Sequence, residues 1–125
     1  MVTIDEAEAM LDEIAESLPK EFYEELNGGI SLLPDVKMHS EGARNGLYTL
    51  GEYHRDPAMG RYIVLYFGSF ARLYGNLPVP AFYEKLKHTL VHEFTHHMES
   101  LAGERSLEIK DEIEMERYRR GLPME

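Results

Sequence analysis

Residues 81–101 constrain this chain more than any other stretch. Phe82, Leu86, Leu90, Val91, Phe94 and Met98 recur at the three- and four-residue spacing of an amphipathic helix, and the same segment carries His92-Glu93-Phe94-Thr95-His96. A fold that accepts this helix must bury its apolar side and leave the histidine side open. Residues four apart share one helix face, about 6 Å from each other along the axis. His92 and His96 can therefore aim two imidazole nitrogens at one metal ion, and Glu93 can reach a water bound to that ion. Two nitrogen ligands, a general base and an open coordination position are the parts of a zinc hydrolase site. A pattern with only three set positions also arises by accident. Here apolar neighbours flank it, and carboxylates follow within one helix-turn-helix, which favours Zn2+ as cofactor.

The rest of the composition narrows the choice of partner. The chain has 125 residues, enough for one domain spanning 1–125. Its net charge is −10, from 23 acidic and 13 basic residues. An acidic surface repels nucleic acid and anionic membrane, so neither is expected as a partner, whereas cations are attracted. There is no cysteine, hence no disulfide framework and no thiolate ligand. The start, Met1-Val2-Thr3-Ile4-Asp5-Glu6, lacks a signal-peptide apolar region, and no run is long enough to span a bilayer. A cytoplasmic protein is the expectation.

Taken in order, the chain reads as follows. Thr3 with Glu6 forms a capping box before a first helix whose stripe is Ile4, Ala7, Leu11, Ile14 and Leu18. Leu18-Pro19 breaks it, and Pro19 opens a short second helix ending at Asn27-Gly28-Gly29. Ile30 to Met38 is extended but interrupted by Pro34. Ser40 to Asn45 is a loop. Leu47–Tyr53 and Arg61–Phe67 read as an antiparallel hairpin, followed by a helical turn over Ser69–Tyr74. The long helix then runs from about Ala81 to Leu101, Ala102-Gly103 ends it through a left-handed cap, and a last helix spans about Ser106 to Arg120. The expected fold is α+β: a small mixed or antiparallel sheet packed on a long active-site helix, with helices at both ends.

Two histidines leave a tetrahedral ion one protein ligand short. Glu99 shares the histidine face, but its Cα lies about 10 Å from that of His92 along the axis. It reads as a group holding an imidazole N–H in place, or as an ordinary surface charge. His88 and His97 read as polar or packed surface histidines, and His39 and His54 receive no role. If the helix after Gly103 folds back antiparallel, Asp111, Glu112 and Glu114 reach the height of the histidines. Asp111 is then the first choice of third ligand, Glu114 the second, and Glu104 in the turn the third. Tyr66, Tyr74, Tyr118 and His88 are candidates for stabilising an oxyanion.

These residues also resemble a known family. Thr89-Leu90-Val91 followed by His92-Glu93-Phe94-Thr95-His96-His97 looks like the small bacterial zincin-like metallopeptidases, minimal single-domain proteins of about this length. The resemblance extends to the first helix with its Leu18-Pro19 exit, and to the strand followed by Gly75-Asn76-Leu77-Pro78. It implies a zincin-like domain with the motif helix beneath a small sheet. An edge strand, Arg61 to Phe67 or its neighbour, would pair with an extended peptide. It also implies zinc-dependent hydrolysis of a peptide or protein substrate through a metal-bound water, with Glu93 as general base. One departure stands out: many relatives carry a glycine three residues after the second histidine and an acidic residue shortly beyond, where this chain has Glu99 and continues as a helix. The alternative is a metal-binding interaction protein without peptidase activity.

Overall fold

The computed structural model of the chain describes residues 1–39 and 47–119, with side chains as far as Glu104. It is an α+β arrangement of three helices, one 3-10 turn and a three-stranded mixed sheet.

Helix α1, Ile4–Ser17, starts where the capping box puts it. The Thr3 hydroxyl accepts from the Glu6 N–H at 3.2 Å, and the Glu6 carboxylate accepts from the Thr3 N–H at 3.0 Å. Its buried side is Ala7, Leu11 and Ile14. Leu18-Pro19 ends it, and Pro19 caps the 3-10 turn Lys20–Tyr23 rather than opening an α-helix. Strand β1, Gly29–Leu33, stops before Pro34, which has no N–H for a ladder.

Strands β2, Gly51–Asp56, and β3, Gly60–Tyr66, form the expected antiparallel hairpin, displaced along the chain. Asp56 accepts from the backbone N–H groups of Ala58 and Met59 at 2.7 and 2.9 Å, and Gly60 takes φ +77° to close the turn. Leu47 to Leu50 lies outside the strand; Tyr48 instead makes a single bridge to Met38. β1 pairs parallel with β3, so the sheet order is β1-β3-β2 and β3 is central. Ile63 and Leu65 of β3 point into the core and are fully buried. Helix α2, Phe67–Tyr74, follows β3 directly and includes Phe67.

The largest difference from the sequence reading is at the end of the chain. Helix α3 runs without a break from Val79 to Arg119. Gly103 sits inside it, where a Cβ would meet nothing within 4 Å, so no left-handed cap forms there. The expected turn at Ala102-Gly103 and the separate last helix are one continuous element. The buried side of α3 is Phe82, Leu86, Leu90, Phe94, His97 and Leu101, a repeat of three and four residues. It packs on α1, β2, β3 and the 3-10 turn. Phe94 is 1% exposed, with the rings of Phe22 and Tyr23 at 5.5 and 5.1 Å. A buried ring of that size is worth roughly 1.5–3 kcal/mol. This packing sets the rotation of α3 about its own axis, and hence the direction of the histidines. Among the described residues no helix is long and apolar enough to cross a membrane.

Candidate metal centre

His92 and His96 flank the buried stripe of α3 and are exposed. Their Nε2 atoms lie 3.2 Å apart, with the rings nearly perpendicular at 85°. A tetrahedral zinc ion with bonds of 2.0–2.1 Å spans two nitrogens about 3.3 Å apart. The pair therefore has the bite of a bidentate zinc seat, set by one helical turn. His92 and His96 are together as expected.

Glu93 packs against β2, lines the same cleft as His92, and is only 6% exposed. Burial pushes its carboxyl above the usual range, against the pull of His92 and His96 beside it. The close approach of β2 that buries it depends on Gly51. A Cβ at that position would lie 2.7 Å from Leu65 Cδ2, 3.0 Å from Thr89 Cγ2 and 3.3 Å from Glu93 Cγ. A glycine inside a strand is the sequence signal for such an approach.

The histidine pair divides a groove between β2 and α3. On one side a cleft of about 370 Å³ is lined by His39, Tyr48, Leu50, His88, His92 and Glu93. Its outer wall is the pairing of residues 37–39 with 47–49, in which Thr49 N–H donates to Lys37 O at 2.8 Å and His39 N–H to Leu47 O at 3.2 Å. Buried Ser69 of α2 pins that wall, accepting from Lys37 N–H at 2.9 Å and donating to Lys37 O. On the other side a cleft of about 550 Å³ is lined by Tyr53, Arg55, His96, Glu99 and Ser100. β2 is an edge strand, with no strand against its outer side among the described residues. Arg61 to Tyr66, named first from the sequence, lies in the central strand β3, and its hairpin neighbour β2 is the one at an edge.

His97 is not a surface residue. It is fully buried, donates from Nε2 to Glu24 O at 2.7 Å, and accepts at Nδ1 from the Tyr53 hydroxyl at 2.8 Å. The carbonyl can only accept, which assigns the proton to Nε2 and leaves Nδ1 as the acceptor. One imidazole thereby ties α3 to β2 and to the segment after the 3-10 turn, one residue from His96. Its position, three after Phe94 and four before Leu101, was readable from the apolar stripe.

The third ligand was expected from a helix folded back after Gly103, and α3 instead continues straight. The fold-back that would bring Asp111 to the ion does not occur. Along a continuous helix the Cα of Asp111 is about 22 Å beyond that of His96, and Glu114 is farther still. The side chains of Asp111, Glu114 and Tyr118 lie outside the described ones. Glu104 is held by Arg61 and Arg55, the latter at 2.6 Å, and is kept below the usual carboxylate range chiefly by Arg61. Glu99 faces Nδ1 of His96 at 3.9 Å, on the far side of the ring from Nε2. Among the described residues, no group of three or more His, Cys, Asp or Glu side chains is placed to hold a metal ion.

Of the proposed oxyanion groups, Tyr66 is engaged elsewhere: its hydroxyl donates to Glu52, which also meets Lys37 at 2.7 Å and His54 at 3.2 Å. Register places Glu52, His54 and Tyr66 on the sheet face opposite Gly51 and Tyr53. Tyr74 packs against Phe70, with ring centroids 6.3 Å apart. His88 does line the cleft beside Glu93.

No protein-family model matches the chain, and no curated protein matches it. Among solved structures it is similar to a conserved hypothetical protein from Thermo thermophilus. The TM-score is 0.68 at 29% identity, over 82% of this chain and 99% of that one.

Proposed function

We propose that this protein is a zinc-dependent peptidase with a minimal zincin-like domain. The observation that carries the reading is the pair of Nε2 atoms 3.2 Å apart on one helix face, with the buried Glu93 carboxyl beside them in a groove along a sheet edge. His92 and His96 would hold the ion. A zinc ion there would acidify a water molecule and polarise a carbonyl. Glu93 would take the proton of the attacking water and pass it to the leaving amine. The outer edge of β2 would pair with the backbone of an extended substrate and hold its scissile bond against the histidine side of α3. His88 is left as the oxyanion candidate inside the cleft.

The number of ligands favours a second reading. Two histidines with no third group among the described residues also suit a site that binds metal without hydrolysis. Elemental analysis of purified protein, wild type and His96→Ala, tests the seat first: one zinc per chain, lost in the variant, is expected. Glu93→Gln then separates the two readings. The peptidase reading expects it to keep zinc and lose cleavage of a casein or peptide-library substrate. Cleavage undiminished in Glu93→Gln would overturn that reading.

A further inference from the structure

The groove does not end at the histidines. Beyond His96 it continues past Tyr53, Arg55 and Ser100 into a recess of about 510 Å³ that includes Arg61 and Glu104. Two guanidinium groups meet one carboxylate there. Arg61 and Arg55 both donate to the same oxygen of Glu104. Arg61 is the inner partner, 13% exposed, and Arg55 the outer one, 58% exposed. Asp56 does not offset Arg55 by contact, since its carboxylate accepts from the turn at Ala58 and Met59. Glu99 lies on the rim against His96.

A second observation comes from unmet hydrogen bonds. Among the described residues, two buried side-chain polar atoms have no partner, Arg61 Nε and Ser100 Oγ. Both belong to residues lining this end of the groove. Buried donors without partners cost about 1–3 kcal/mol each; Arg61 shares one cleft with Arg55, and Ser100 the other.

We propose that Arg55, held with Arg61 on Glu104, is a carboxylate-binding subsite that selects peptides with an acidic group to one side of the scissile bond. This rests on reading the groove as a peptide channel. Arg55 lies four residues along β2 from Gly51, about 14 Å, so the acidic group sits about four residues from the bond held at Glu93. A planar guanidinium suits a carboxylate, which it can hold with two parallel hydrogen bonds. On a chain of net charge −10, an exposed guanidinium on the groove wall is a discriminating feature.

The test uses blocked nonapeptides of alanine and leucine carrying one glutamate, moved through every position, and the same set with glutamine. Each is titrated into zinc-loaded Glu93→Gln protein, so that binding is read without cleavage. The expected result is one position at which the glutamate peptide binds about tenfold more tightly than its glutamine counterpart. That ratio should fall to about one in Arg55→Gln and persist in part in Arg55→Lys, which keeps the charge and loses the fork. A ratio unchanged in Arg55→Gln overturns the subsite, as does no preference at any position or no binding by any peptide. Preference that follows Arg55, without cleavage by the Glu93 protein, upholds the subsite and removes the peptidase reading. Cleavage indifferent to glutamate does the reverse.

Discussion

Replacing Gly103 by alanine tests the continuity of α3, on which the position of every candidate ligand after His97 depends. In the structure Gly103 is helical, has no positive φ, and a Cβ there meets nothing within 4 Å. Alanine would then gain the difference in helix propensity, about 0.8–1 kcal/mol, through the smaller backbone entropy lost on folding. The turn belongs to the folded body, because Leu101 before it is 4% exposed and Glu104 after it holds two arginines. The full gain should therefore appear in global stability. For a domain of this size it corresponds to a rise of about 3–4 °C in Tm. Had Gly103 been a left-handed cap, alanine would cost about 1–2 kcal/mol instead. The two geometries differ in sign. Urea unfolding followed by far-UV circular dichroism suffices, since the chain has no tryptophan. Gly103→Ala less stable than wild type by about 1 kcal/mol or more would refute the straight helix and bring Asp111 back within reach of the histidines.

Two other expectations follow from groups around the groove. Tyr53→Phe removes the donor to buried His97 Nδ1 and leaves that acceptor unsatisfied, so a loss of about 1–3 kcal/mol is expected in the same unfolding assay. A change within about 0.3 kcal/mol would show that the hydroxyl does not hold α3 to β2. Glu104 is held below its ordinary range by Arg61, so the stability it contributes is present above the unfolded glutamate pKa, about 4.3, and is lost as pH falls through the lower folded value. Melting curves of wild type and Glu104→Gln should differ at about pH 7 and converge towards about pH 3; a gap that widens on acidification would contradict the pairing.

Local chemistry made much of the molecule legible beforehand. The Thr3–Glu6 box, the Leu18-Pro19 exit and the apolar stripe of α3 each follow from residues within a few positions of one another, and each is present. Gly103 misled because glycine after a helical stretch is a common stop, whereas its cost of about 1 kcal/mol is small beside the contacts of Leu101 and Glu104 on either side. The parallel pairing of β1 with β3 joins residues about thirty apart in sequence, and no local pattern encodes it. His97 was misread by residue type; its phase on the helix placed it inside. Arg55 and Arg61 meet Glu104 only because a hairpin and a helix run side by side, so that cluster had no signature in the chain order.

The unbroken course of α3 has a metrical consequence. His96 and Glu104 are eight residues apart on one rod, about 12 Å, a distance fixed by helical rise and not by the reach of a loop. Such a rod works as a ruler. It cannot stretch to accommodate a longer spacing, and inserting one residue between its marks would rotate one against the other by about 100° as well as lengthen it. Changes of chain length in this stretch are therefore quantised: a whole turn could move the mark, whereas a single residue would erase it.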